Sequence, residues 1–454
     1  MNIFIPSEVN MILDRLERAG HEAYIVGGCV RDSIMGAEPS DYDIATSARP
    51  ERVKEVFCGE NIIETGLKHG TLTLNIGANN YEITTFRSDG EYLNNRSPES
   101  VRFESDIRED LSRRDFTVNA MAYNPSEGLI DLFGGETDIK NGIIRCVGSP
   151  HKRFEEDALR ILRALRFASV LGFEIDESTK RAAIEQKELI SALSSERIFS
   201  EFKKFICGEN AAFILDEFRE VFAVFIPELK PTFGFDQHNK YHCFDVWKHT
   251  VTAVSNTEPD VELRIAALFH DIGKPETFFM GDDGNGHFYN HAEVGSEIAR
   301  RIFNRLKCDN DIKGAVCTLV KYHGIEIINT RKIVKRRLNK FGVELFNKLI
   351  KLKIADVSAL NPEYTKGAED FYRETQRLTE EIILDGDCFS LSGLEINGKD
   401  LIEAGIAEGR EIGAILKAAL KAVIDGSVSN QKDELMKFAL AAHEEYDCGS
   451  RSGK

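Results

Sequence analysis

From Glu8 to Gly20 the chain reads EVNMILDRLERAG. Its apolar residues fall at helical spacing and its glycine is a stop signal, so the pattern predicts a helix. HEAYIVGG (His21–Gly28) follows as a short apolar run broken by two glycines, which predicts a buried strand. GTLTLNI and NYEITTFR (Gly70–Ile76 and Asn80–Arg87) read as paired strands, with the turn residues GANN between them. After IIRCVGSP (Ile143–Pro150) the period changes. From His151 onward it is nearly all helical, with few β-branched runs. The pattern therefore predicts an α/β head over residues 1–150 with a helical remainder behind it. No internal repeat stands out, and DCGSRSGK at the end reads as a frayed tail.

With 454 residues the chain is too long for one core, and two to four domains are expected. A net charge of -17 repels nucleic acid at long range, so any RNA contact must come from a local basic surface. The nine cysteines show no CxxC spacing, which argues against a zinc ribbon or a disulfide framework and for a reducing cytosol. The first residues, MNIFIPSEVN, lack the pattern of a signal peptide, and no apolar stretch approaches the roughly 20 residues of a membrane helix. The expectation is a cytoplasmic protein with no membrane partner; the sequence leaves its oligomeric state open.

AYIVGGCVRDSIMGAEPSDYDIATS (Ala23–Ser47) sets a double glycine, an Arg-Asp pair and an Asp-Tyr-Asp side by side. On a strand, positions i and i+2 share a face, so Asp41 and Asp43 would stand close together and repel unless a cation lies between them. Hard oxygen ligands favour Mg²⁺ shared with substrate phosphates. A solvated surface turn would carry the same letters. Gly27-Gly28 follows a strand and opens a helical segment, so backbone N–H groups there, with Arg31, can meet a phosphate. Glu82, on NYEITTFR, is a third acid that could either join the metal site or face solvent. Metal ions held by such acids would activate a hydroxyl and stabilise a leaving pyrophosphate.

Asp157, Arg160, Arg163 and Arg166 recur every third residue in EEDALRILRALRFAS (Glu155–Ser169). On one helix each would shift by about 60°, forming a slanting stripe beside an apolar surface of Leu162, Leu165 and Phe167. An Asp and an Arg on one face can offer an acceptor and a forked donor to a nucleobase edge, and further arginines can meet triphosphate oxygens. A salt-bridged solvent face is the alternative.

GGCVRD followed by DYDIATSARPERV resembles the head of the class II tRNA nucleotidyltransferase and bacterial poly(A) polymerase family. RRDFTVNAMAYN (Arg113–Asn124), LIDLFGGETDIKNGIIR, EEDALRILRALRFAS and SSERIFSEFKK follow in the family's order. The likeness is dense over residues 20 to 210 and loose beyond. It implies an α+β fold, a polymerase-β-like nucleotidyltransferase head followed by all-helical parts. It implies Asp41, Asp43 and Glu82 as catalytic, the two aspartates with Mg²⁺, and Gly28, Arg31 and Arg114 on the nucleotide. It assigns Asp115 and Asn119 to ribose recognition or loop positioning. Asp157 and Arg160 would act as a protein template for ATP and CTP, with Arg163 and Arg166 behind them. The polar stretch RSDGEYLNNRSPESVRFESD corresponds to a flexible loop tied to adding the final A. The activity implied is addition of C, C and A to a tRNA 3′ end. A poly(A) polymerase is the closest rival, although EEDALR has an acid where those enzymes resemble DPxR.

A different chemistry appears after Pro231. His249, the pair His270-Asp271, His291, His323 and Asp356 recur within about a hundred residues, in a chain with 11 histidines. Mixed imidazole and carboxylate donors suit Mn, Fe, Co or Ni, and metal-bound water is a nucleophile for phosphate esters. The order H…HD…H…H…D resembles the HD phosphohydrolase superfamily, so a metal phosphohydrolase with an RNA-binding head is the rival reading from another class. Residues 321–353 hold ten Lys or Arg against two acids, Glu326 and Glu344, and form either an RNA-tracking patch or a solvated face. The expected organisation is a head (1–150), a helical neck (151–210), a connection (211–235), an HD domain (236–380) and a C-terminal body that grips the tRNA acceptor end (381–454).

Overall fold

The structure, a computed structural model, describes residues 3–67, 70–89, 92–93, 97–98 and 101–451. The chain divides into two compact units: residues up to 230 together with 302–308, and 231–301 together with 309 onward. The five segments expected from the sequence gather into these two. Head, neck and most of the connection (to residue 230) fall in the first unit; residues 231–235, the HD-like stretch apart from 302–308, and the tail fall in the second.

The first unit is built on a seven-stranded sheet. Its strands are β1 (Ala23–Val26), β2 (Asp43–Thr46), β3 (Asn61–Gly66), β4 (Thr71–Ile76), β5 (Asn79–Thr85), β6 (Met121–Asn124) and β7 (Gly128–Asp131). They lie in the order β7-β6-β1-β2-β5-β4-β3. β1 is buried along its whole length, as a continuous apolar run requires, whereas β5 alternates exposed and buried. One parallel pairing, β2 with β5, sets Asp43 directly beside Glu82. The strand starts at Asp43, so Asp41 lies two residues before it, outside the strand on which the sequence placed both. Of the polar stretch between β5 and Arg113, Arg87–Asp89 pairs with Val101–Phe103 and Tyr92–Leu93 with Ser97–Pro98. Residues 90–91, 94–96 and 99–100 of that expected loop lie outside the described residues.

The neck departs from the expected single helix. Helix Pro150–Glu156 ends, Asp157 is extended (φ -143°, ψ 105°), and a second helix runs Leu159–Leu171. The Asp157 carboxylate accepts the Leu159 N–H at 3.0 Å, the competition with backbone by which aspartate interrupts or starts helices. Helix Leu159–Leu171 packs on Ser195–Ile206, and its Phe167 meets Phe116 of the head edge to face at 5.8 Å. Phe202, Phe205, Phe222 and Phe225 form an aromatic core beneath.

The second unit is helical apart from the short strand pair Phe279–Met280 and Gly286–His287. Val246–Ser255, Val261–Phe269, Asn310–Tyr322 and Val343–Ser358 pack around the expected metal ligands. The C-terminal segment has its own core of Ile396, Leu401, Ile406, Ile415, Leu420 and Leu435. Its last helix continues from Lys432 to Arg451, through most of the stretch expected to fray; residues 452–454 lie outside the described residues.

Candidate functional site

In the first unit the sharp turn after β1 comes from Gly27, at φ 78° and ψ -124°. A Cβ there would lie 2.9 Å from an Nη of Arg114, so only glycine lets that guanidinium approach the turn. Gly28 begins the helix Gly28–Ile34. Burial raises the pKa of Asp43 to about 6, and the charges of Asp41 and Glu82 push the same way, against Arg114. Three acids with so little compensation fit a divalent cation.

The neighbouring side chains are tied together. Arg31 is 9% exposed and donates to Asn119 Oδ1 at 2.7 Å and to Asp32 at 2.8 Å. Asn119 therefore orients Arg31. Arg114 donates to Asp110 at 3.2 Å and keeps its Nε buried without a partner. Asp110 is 1% exposed and also takes Arg113 at 2.7 Å. Asp115 takes Arg163 Nε at 2.7 Å. Burial works against its charge, but Arg163, Arg160 and the Phe116 amide prevail and hold its pKa below the usual range.

The arginine stripe is real, but its acid is elsewhere. Arg160 pairs with Glu156, four residues back across the helix break, at 2.6 Å, and donates to the Arg153 and Arg113 carbonyls. Asp157 is instead held by Arg197 at 3.0 Å. The expected Asp157–Arg160 pair is thus not made: Asp157 lies at the helix break and takes Arg197, although its charge still reaches Arg163 of the stripe. Arg166 pairs with Glu201 at 2.7 Å. Phe167, expected to be plain packing surface, lies under three guanidinium groups: Arg166 at 4.0 Å, Arg31 and Arg163 at 5.3 Å. Sequence reasoning missed Asp110 and Arg197. Asp110 was findable, since it stands three and four residues before Arg113 and Arg114. Arg197 is 40 residues from its partner; it lies in the quoted SSERIFSEFKK stretch, but nothing in those letters names Asp157 as its partner.

In the second unit all six expected ligands converge. His249 Nε2 lies 3.1 Å from His270 Nε2, and both approach Asp271 Oδ2 (3.4 and 3.2 Å) and Asp356 Oδ1 (3.1 and 3.7 Å). His291 Nε2 lies 3.1 Å from His323 Nε2, and both approach Asp271 Oδ1 (3.6 and 3.8 Å). The Nδ1 atoms of His270, His291 and His323 each meet a backbone carbonyl at 2.7 Å, those of Ala267, Phe288 and Val320; His249 Nδ1 meets Ala359 at 3.3 Å. Those bonds turn every Nε2 toward the two acids. Burial opposes the charge of His270, but Asp271 and Asp356 raise its pKa to about 9, so its Nε2 carries a proton whose place a bound cation would take. Two three-ligand groups share Asp271, His249 and His270 on one side and His291 and His323 on the other, and each could hold an ion. Burial opposes the charge of Asp271, yet His270 and Lys274 hold its pKa well below the carboxylate range; Lys274 lies 2.6 Å from Oδ2. His242, missed in the sequence, lies with its ring 5.4 Å from that of His249, and burial lowers its pKa to about 3.

The basic run does not form a free strip. Arg331 pairs with Asp385 and Asp387, Lys335 with Asp387, Lys332 and Arg336 with Asp425, and Lys348 with Asp260 and Glu262. Acids from distant segments neutralise charges that look unopposed along the chain.

Comparison with known proteins defines the class first. The poly A polymerase head domain family matches residues 23–145, the RNA and SrmB-binding site of polymerase A family matches 172–233, and the tRNA nucleotidyltransferase domain 2 family matches 288–439. The chain is a nucleotidyltransferase of the poly A polymerase head type. It is 33% identical over 440 residues to the CCA-adding enzyme of Ligilactobacillus salivarius, covering 96% of each chain, and it belongs to the CCA-adding enzyme family. The crystal structure of the Bacillus stearothermophilus CCA-adding enzyme in complex with CTP superposes with a TM-score of 0.70 at 28% identity, covering 98% of this chain and 100% of that one. A Thermotoga maritima CCA-adding enzyme complexed with tRNA shares the fold at 21% identity and a TM-score of 0.58, over 97% of this chain and 100% of that one. Family membership implies use of a divalent metal ion.

Proposed function

We propose that the chain adds C, C and A to the 3′ end of tRNA from CTP and ATP, without a nucleic-acid template. The 3′-hydroxyl oxygen attacks the α-phosphorus, the bond to the bridging oxygen breaks, and pyrophosphate leaves. Asp41, Asp43 and Glu82 would hold Mg²⁺, which supplies a Lewis acid for the hydroxyl and the departing pyrophosphate. Gly28 and Arg31 face the triphosphate, and Arg114 has a donor to spare for it. Asp115, Asn119, Arg163 and Arg166 keep the head and neck side chains in place around the nucleotide. Base reading then requires Asp157 and Arg160 to exchange Arg197 and Glu156 for a nucleobase edge. The observation that carries the reading is the pairing of Asp43 with Glu82 beside Asp41, with the carboxyl of Asp43 raised to about 6.

Purified protein incubated with tRNA lacking CCA should add cytidylate from CTP alone and stop at three nucleotides when ATP is also present. An open-ended tail of A would favour poly(A) synthesis, and unchanged transfer by Asp41→Ala would remove the site.

For the second unit we propose metal-dependent hydrolysis of phosphate esters at the cluster sharing Asp271, with two transition-metal ions such as Mn, Fe, Co or Ni. The six converging ligands support this reading. No helix among the described residues is long and apolar enough to cross a membrane. Free thiols at Cys29, Cys58, Cys146, Cys243, Cys317 and Cys388 fit a cytoplasmic location.

A further inference from the structure

Lys353 stands one turn before Asp356 on the helix Val343–Ser358, so the two share a face. The lysine is 5% exposed, and its amine lies 5.2 Å from the ring centroid of Tyr372, on the helix Ala368–Leu384. Among the described residues no carboxylate forms an ion pair with it. Arg337, on the helix Arg331–Phe341, gives one Nη to the Glu326 carbonyl at 2.9 Å and keeps its Nε buried without a partner. These three helices pack on one another pairwise. Burial lowers the Lys353 pKa to about 8; Asp356 pulls the other way and Arg337 adds to the fall.

A buried ammonium beside a half-buried guanidinium, whose Nε is shut off from water, calls for a counter-charge. Asp356 is the acid at hand, but its carboxylate is already 3.1 Å from His249. On the two-metal reading it is also a ligand, and two divalent ions outweigh the charges of Asp271 and Asp356. What balances Lys353 and Arg337 must then arrive from outside as an anion.

We propose that Lys353 and Arg337, with Tyr372 beside them, form an anion subsite next to Asp356 for a second phosphate of the substrate hydrolysed at the metal cluster. The preferred substrate class is therefore a phosphate ester that carries another phosphoryl group. In the hydrolysis a water oxygen bonds to phosphorus, the ester P–O bond breaks, and the leaving oxygen takes a proton from water. The substrate class and the charge balance of the subsite rest on the two-metal reading; the placement of Lys353 against Tyr372 and beside Asp356 does not.

The test uses the full chain loaded with Mn²⁺. Hydrolysis of adenosine 3′,5′-bisphosphate is compared with that of p-nitrophenyl phosphate, and bound manganese is counted. Lys353→Met should raise KM for the bisphosphate at least tenfold, with manganese content and the constants for p-nitrophenyl phosphate little changed. Lys353→Arg should restore KM, which guards against a folding defect. Equal effects on both substrates, or none, overturn the proposal. If the wild type holds no manganese and cleaves neither compound, the two-metal reading fails by itself. Calorimetric titration with inorganic phosphate then decides the subsite: binding weakened by Lys353→Met supports it, and binding unchanged by that substitution, or none to the wild type, overturns it.

Discussion

Asp43 shows how one position can carry both the chemistry and a cost to stability. A carboxyl raised to about 6 in the fold binds its proton more tightly there than in the unfolded chain. The folded state thus gains nothing from ionising it and loses stability as pH rises from about 4 through 6. A divalent ion between Asp41 and Asp43 reverses that loss. The melting shift caused by Mg²⁺ should be small at pH 5 and larger at pH 7.5, and Asp43→Asn should erase the difference. Equal shifts at both pH values in the wild type would remove the electrostatic account. Asp110 makes a similar case for an unannounced residue. Its loss removes the buried carboxylate that Arg113 and Arg114 share, a change that costs about 3–5 kcal/mol for buried pairs. Asp110→Ala should lower stability on that scale in urea titration and raise KM for CTP and ATP. A variant with normal KM would show that Arg114 does not need this anchor.

Among the elements, the turn between β1 and the helix Gly28–Ile34 depends on backbone freedom. Gly27→Ala places a Cβ 2.9 Å from Arg114 and asks an alanine to hold φ 78°. Such strain costs about 1–3 kcal/mol. The expected outcome is weaker CTP binding by calorimetry, beyond the modest loss of melting temperature. The neck repeats the lesson in its side chains. The every-third-residue spacing of the arginines was legible, and so was a stripe along one helix. The break at Asp157 was not, because a carboxylate that caps a helix and one that lines it look alike in sequence. Arg160 then chose Glu156, at i-4, over Asp157, at i-3, and Asp157 chose Arg197 from another helix.

Across the whole molecule, the two units hold acid clusters of different chemistry. Asp271 is shared by both three-ligand groups, whereas His291 belongs to one. Asp271→Asn should empty both positions and His291→Ala should weaken one, read as manganese per chain by elemental analysis. Nucleotide transfer to tRNA should survive Asp271→Asn, just as phosphate-ester hydrolysis should survive Asp41→Ala. Loss of both activities in either variant would contradict separate sites. The net charge of -17 sharpens the question of RNA contact, since the basic run of residues 321–353 is largely paired with acids of the second unit. Ion pairs of that kind are worth little individually, but they remove the free cations that phosphates need.

Local letters by themselves singled out the candidate residues: the Asp-Tyr-Asp beside a glycine turn, the RRDFTVNA stretch, the arginine periodicity and the histidines with their aspartates. They did so because side-chain type and spacing set ligand hardness, backbone freedom and helical face over a few residues. Only the tertiary structure decided which charges meet. Parallel pairing brought Glu82 to Asp43, Asp271 turned its two oxygens to different histidine pairs, and acids remote in the chain took up the basic run. Coulomb energies depend on distance and burial, and neither is a property of sequence separation.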